Sequence, residues 1–141
     1  MNNKRREHGF TLVELLLVVT IIGILAGAVM VNFGGQTQKA KIIRAKSDIT
    51  SIQTALSIYE ISIGSYPTSD QGLQALVEDP GVEGWTDPFI PKKSIKDPWG
   101  NEYRYSNPGD KSGFDYDLYS VGLDGQEGSE DDIGNWDEED N

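Results

Sequence analysis

At 141 residues, with a formal charge of −11 from 23 acidic and 12 basic side chains, the chain has room for one soluble domain and an anchor, not a multidomain machine. Past position 46 the basic residues are few and dispersed, which excludes the clustered Lys and Arg of a phosphate-binding surface and with it nucleic acid as a partner. There is no cysteine, so either the small core suffices alone or a bound metal takes the place of the disulfides such domains often need.

Residues 1–9 are short and basic, with Lys4, Arg5 and Arg6 in a row. An apolar run follows over residues 10–33, broken by a single charge at Glu14. Its length exceeds the roughly 20 residues that span a bilayer as a helix. The basic cluster should stay cytoplasmic, which predicts a single-pass anchor in the inner membrane with the rest of the chain beyond it. A secretory signal cut after Ala26-Gly27-Ala28 is the competing reading, but the run is long for such a signal. A carboxylate within the apolar run is unfavourable unless protonated or paired, so Glu14 is either a neutral acid near the interface or half of a charge pair.

The segment Gly9-Phe10-Thr11-Leu12-Val13-Glu14-Leu15 resembles the type III signal of type IV pilins and pseudopilins. That resemblance implies cleavage between Gly9 and Phe10 by a prepilin peptidase and N-methylation of Phe10. It also implies that Glu14 pairs with the Phe10 ammonium of a neighbouring subunit, so that two unfavourable charges cancel only on assembly. Loss of a leader of net charge +2 would take the side-chain charge from −11 to −13 and remove the sole histidine, His8.

No proline occurs between Phe10 and Pro67, so one helix can continue past the anchor. Gly34-Gly35 is its weak point, either a hinge or a site of close packing. Beyond it Ile42, Ala45, Ile49, Ile52, Leu56, Tyr59 and Ile63 recur at alternating spacings of three and four, an amphipathic stripe. Lys39, Lys41, Arg44, Lys46 and Asp48 fall outside it. A coiled coil would use such a stripe; packing on the chain's own sheet is the expected use. Gly64 should end the helix, and Ser69 or Asp70 should cap a short second helix to about Val77. Pro80, Pro88, Pro91 and Pro98 predict loop, Asp97-Pro98-Trp99-Gly100-Asn101 a tight turn, and residues 102–106 and 116–121 strands joined by a turn at 107–110. The expected fold is α+β: a long helix, transmembrane and then amphipathic, on a small antiparallel sheet. Its divisions are a leader at 1–9, an anchor at 10–33 and a periplasmic domain at 34–141.

Residues 121–132 carry Asp124, Glu127, Glu130, Asp131 and Asp132 among Gly122, Gly125 and Gly128. Hard cations take six to eight oxygens from carboxylates and carbonyls, which a glycine-rich loop can supply, yet the spacing is not that of an EF-hand. From spacing alone, a cation site and a solvated acidic loop stand equal.

The segments Gly64-Ser-Tyr-Pro-Thr-Ser-Asp-Gln-Gly-Leu-Gln-Ala-Leu76, Asp97-Pro-Trp-Gly-Asn-Glu-Tyr103, Gly122-Leu-Asp-Gly-Gln-Glu-Gly128 and Asp132-Ile-Gly-Asn-Trp136 look like the major pseudopilins of type II secretion systems. The resemblance implies a pilin-like fold and a Ca²⁺ ion held by Asp124, Asp131 and Asp132 with backbone oxygens of Val121 and Gln126. Glu127 and Glu130 would remain solvated, and Asp137-Glu-Glu-Asp140 an acidic tail. It further implies a homo-oligomeric helical filament in the periplasm that drives export of folded proteins across the outer membrane. The partners would be prepilin peptidase, minor pseudopilins, an inner-membrane assembly platform and membrane lipid. A type IV pilin or competence pseudopilin is the alternative, although typical type IV pilins close their C-terminal region with a disulfide that this chain cannot form. Catalysis is not expected, because the mature chain would lack both Cys and His and so any Cys-His or Ser-His machinery.

Overall fold

The computed structural model describes residues 10–136, apart from the side chains of 28–36; the expected leader at 1–9 and acidic tail at 137–140 lie outside the described residues. The chain divides into two compact units between Gln38 and Lys39, somewhat beyond the boundary after residue 33 that the sequence suggests. One helix, α1, spans Leu12–Ile63 and runs unbroken through Gly34-Gly35. Over residues 12–27 of the first unit its large apolar side chains are uncovered, with Leu12, Leu16 and Leu25 exposed by 82 %, 66 % and 60 %. Among the described residues no helix is long and apolar enough to cross a membrane. Of the predicted apolar run, the side chains of residues 28–33 lie outside those described.

In the second unit the stripe becomes a core. Ala45, Ile49, Ile52, Leu56 and Tyr59 are each at most 2 % exposed, packed with Leu76, Tyr103, Leu118 and Ile133. Each large apolar side chain removed from water contributes on the order of 1.5–3 kcal/mol, which fixes which face of the helix turns inward. Ile42 departs from the expected stripe, being exposed, and Ile63 is only partly buried. Gly64, with φ of +96°, ends the helix as expected, its N–H donating to the Glu60 carbonyl.

Three strands follow: β1 (Arg104–Ser106), β2 (Asp117–Ser120) and β3 (Ile133–Gly134), antiparallel in the order β1-β2-β3. Tyr105 faces Leu118, and Ser120 faces Ile133. The first two are the expected strands trimmed at their ends; Glu102 makes only an isolated bridge to Lys96. The third was not expected. Asn135, 1 % exposed, explains how so short a strand is held. Its N–H donates to the Leu118 carbonyl, its Oδ1 accepts the Leu118 N–H, and its Nδ2 donates to the Tyr116 carbonyl.

The second helix reduces to a 3₁₀ turn, Gly72–Leu76. Neither Ser69 nor Asp70 caps it by a side-chain hydrogen bond. Instead Thr68 and Gln71 bind reciprocally: the Thr68 N–H donates to Gln71 Oε1 and the Gln71 N–H to Thr68 Oγ1. Ser69 is turned toward the main chain of Asn107. A further 3₁₀ turn, Lys92–Ile95, lies where the prolines predicted only loop. In the turn before β2, the buried Asp117 carboxylate accepts N–H groups from Asp110, Lys111 and Ser112. Burial pushes its pKa up, but those donors together outweigh burial and hold it below the usual range.

Candidate functional site

Two places carry the predicted chemistry, and each lies within one unit. At the helix start, Thr11 and Glu14 form a capping box. The Thr11 N–H and Oγ1–H donate to Glu14 Oε2 at 2.8 and 3.1 Å, and the Glu14 N–H donates to Thr11 Oγ1 at 3.2 Å. Glu14 therefore has a local task beside any intersubunit one: it closes orphan donors of the first turn. The Thr-x-x-Glu pattern that signals this is present in the sequence, but the reading of Glu14 as a charge in an apolar run displaced it. Phe10 stands 81 % exposed beside it; Gly9 lies outside the described residues.

The acidic segment 121–132 connects β2 to β3, so buried strands fix both its ends. Its centre is Asp131. Asp131 Oδ2 accepts the N–H groups of Leu123 and Asp124 at 2.7 and 3.1 Å, and Ser129 Oγ–H donates to Oδ1 at 2.5 Å. The Ser129 hydroxyl, then the Asp124 N–H, hold the Asp131 carboxyl below its ordinary pKa. Gly122, at φ +64°, allows this closure; a Cβ there would meet the Asp131 carbonyl oxygen and Oδ2, the latter at 2.6 Å.

Asp124 Oδ1 accepts the Gln126 N–H at 2.8 Å, and Asp132 Oδ2 the Gly128 N–H at 2.7 Å. Asp132 Oδ1 is the one buried side-chain polar atom among the described residues without a hydrogen-bond partner. Such an orphan is costly unless something absent from the chain meets it. Among the described residues no three His, Cys, Asp or Glu side chains converge to hold a metal ion. Backbone and hydroxyl oxygens would have to complete any site. The donors present are all hard oxygens, with the orphaned Asp132 Oδ1 among them, and that chemistry fits Ca²⁺. Glu127 is not merely solvated: Arg104 Nε lies 2.8 Å from its Oε1, joining β1 to the loop. Both partners are about half exposed, so the pair contributes at most about 1 kcal/mol.

A long helix that begins at a Phe-Thr-x-x-Glu motif, continues as the spine of a small antiparallel sheet and ends in an acidic loop defines the pilin-like filament subunits. Residues 4–30 match the family described as prokaryotic N-terminal methylation motif, and residues 32–136 the family described as type II secretion system protein G. The chain belongs to the type II secretion system protein G family, the major pseudopilins. Curated relatives bear the name type II secretion system core protein G. The one from Vibrio cholerae is 44 % identical, with 96 % of each chain covered. That from Pseudomonas aeruginosa is 45 % identical over 95 % of this chain and 98 % of its own. The Escherichia coli K12 protein is 43 % identical over 93 % and 92 %. The crystal structure of the major pseudopilin from the type 2 secretion system of enterohaemorrhagic E. coli aligns with a TM-score of 0.63 at 36 % identity, over 72 % of this chain and 87 % of that one.

Proposed function

We propose that the chain is the repeating subunit of a periplasmic pseudopilus, inserted by residues 10–33 in the inner membrane before assembly and lifted from it into the filament. The observation that carries this reading is the uncovered apolar surface of the first unit, from Leu12 to Leu25, beginning at a prepilin-type motif. So much apolar area must find lipid or neighbouring helices, and the same side chains serve both states. Prepilin peptidase would cut after Gly9 and methylate Phe10. Glu14 would exchange its cap on Thr11 for, or share it with, the Phe10 ammonium of a neighbour. Minor pseudopilins, an inner-membrane platform and lipid are the partners this assembly requires.

Asp124, Asp131 and Asp132, whose carboxylates do not converge in the structure, would close with backbone oxygens of Val121 and Gln126 to hold Ca²⁺, which when bound supplies countercharge and a cross-link between the loop's carboxylates. The chain's own part is to hold the carboxylates in place, as the Leu123, Asp124 and Ser129 donors do for Asp131.

The test is a strain lacking the gene, complemented with the full chain. The reading requires a mature protein beginning at methylated Phe10 by mass spectrometry and recovery of folded exoproteins in the medium. Charge reversal at Asp131 and Asp132 should abolish that recovery. Surface fibres formed without any effect on secretion would instead indicate a type IV pilin.

A further inference from the structure

The turn at 97–101 has no place in the functional reading so far, yet its polar groups are aimed at the acidic loop. Asp97 is 6 % exposed, and no basic side chain contacts its carboxylate in any described ion pair. Its Oδ1 accepts the N–H groups of Trp99 and Asn101 at 3.0 and 2.8 Å, which closes the turn on itself. Its Oδ2 accepts the hydroxyl of Ser120 at 2.6 Å. Ser120 is fully buried at the end of β2, and its Oγ in turn accepts the Gly122 N–H at 3.1 Å. From the same turn, Asn101 Nδ2 donates to the Gly122 carbonyl at 3.3 Å. The Asn101 amide also lies beside Gly125, 3.8 Å from where a Cβ would stand.

Gly122 is thus held on both of its main-chain polar groups: its carbonyl directly by Asn101 of the turn, and its N–H by Ser120, whose hydroxyl is bonded to Asp97 of the same turn. Its other side closes against Asp131. A residue gripped in this way has little freedom, and its two neighbours inherit the constraint. The peptide plane joining Val121 to Gly122 is trans, so its carbonyl points opposite to its N–H. Fixing the Gly122 N–H on Ser120 therefore turns the Val121 carbonyl away from the buried hydroxyl. On the other flank, a fixed Gly122 sets where the N–H groups of Leu123 and Asp124 begin, and these are the donors that hold Asp131.

We infer that Asn101, with the Asp97–Ser120 pair behind it, is a positioning element for the acidic loop: it sets Gly122, and through Gly122 the carbonyl of Val121 and the carboxylate of Asp131. For Ca²⁺ affinity this rests on the cation reading proposed above; for loop order it does not. The described hydrogen bonds that leave the turn reach Gly122 and Ser120 and not a proposed ligand carboxylate. The turn acts at one remove, as outer partners of metal ligands do, and loss of such a partner lowers metal affinity by about 10–100-fold.

Asn101 is the position to test, because it is only half buried and its removal leaves the core intact. The mature full chain in detergent micelles, wild type and Asn101→Ala, is followed by amide hydrogen exchange in EGTA. The expected result is exchange at Leu123 and Asp124 at least about tenfold faster, with Leu56 and Leu118 unchanged. A Ca²⁺ titration should then move half-saturation upward by about 10–100-fold. Asn101→Asp, isosteric but without the donor, should reproduce the faster exchange, whereas a space-filling role would leave Asn101→Asp like wild type. Wild-type exchange at Leu123 and Asp124 in Asn101→Ala would overturn the inference, as would a uniform rise that includes Leu56. Faster loop exchange in a protein whose wild type ignores Ca²⁺ would support the positioning role and overturn the cation reading alone.

Discussion

The two halves of α1 share one backbone and opposite fates. In residues 12–27 the large apolar side chains are all exposed, whereas in residues 45–59 the apolar stripe is almost wholly out of water. The difference is one of pattern. The first half is apolar all round, as a helix is when every face will be covered by something other than its own domain. The second alternates, and polar residues such as Ser51 and Thr54 lie outside the core face, with hydroxyls bonded back to the helix's own carbonyls. Folding energy is thus concentrated in one half and assembly energy in the other, which makes the two separable by mutation.

The largest effect should come from confusing them. Leu56→Ala leaves a cavity in a fully buried position and should cost about 2–5 kcal/mol, read as a lowered midpoint in chemical unfolding. Leu16→Ala, on the exposed half, should leave that midpoint unchanged and lower the yield of filaments. A fall in stability for Leu16→Ala would break the comparison.

Next in size is the acidic loop. Chelation from a Ca²⁺ concentration about a hundredfold above Kd should lower the stability of the folded chain by about 2.7 kcal/mol. Asp124→Ala should lack the response. Smaller again is Thr11→Ala. Losing the capping hydroxyl should cost about 1 kcal/mol at the helix start, seen as faster amide exchange there and nowhere in the core. The smallest concerns Asp117. Its folded pKa is depressed, so its stabilisation is complete above the unfolded carboxylate value near 4 and is lost as pH falls below that. Asp117→Asn should flatten the acid limb of the stability curve while leaving neutral filament assembly alone.

The helix was legible because its signals are local: three-four spacing, no proline before Pro67, and Gly64 as a stop. Strands β1 and β2 were legible from their aromatic runs. What could not be read depends on distant partners. Two residues, Ile133–Gly134, make a strand only because Asn135 reaches Leu118 and Tyr116 across the fold. The acids of the loop were visible, but not that Asp131 is gripped by Leu123 and Asp124, nor that Asn101 holds Gly122. Ser69 and Asp70 looked like caps, yet Thr68 formed the box with Gln71, since Ser69 was needed at Asn107. Thr11 and Glu14 show a different failure, in which the signal was present and a second role of the same carboxylate obscured it.

That double role supplies the most direct measurement. Glutamine serves a capping box as glutamate does, so Glu14→Gln keeps the helix start and removes only the charge. In Glu14→Gln amide exchange over the first turn should stay as in wild type while electron microscopy finds no filaments. Filaments at wild-type number in Glu14→Gln would contradict the double role, and would leave Glu14 as a cap with no part in assembly.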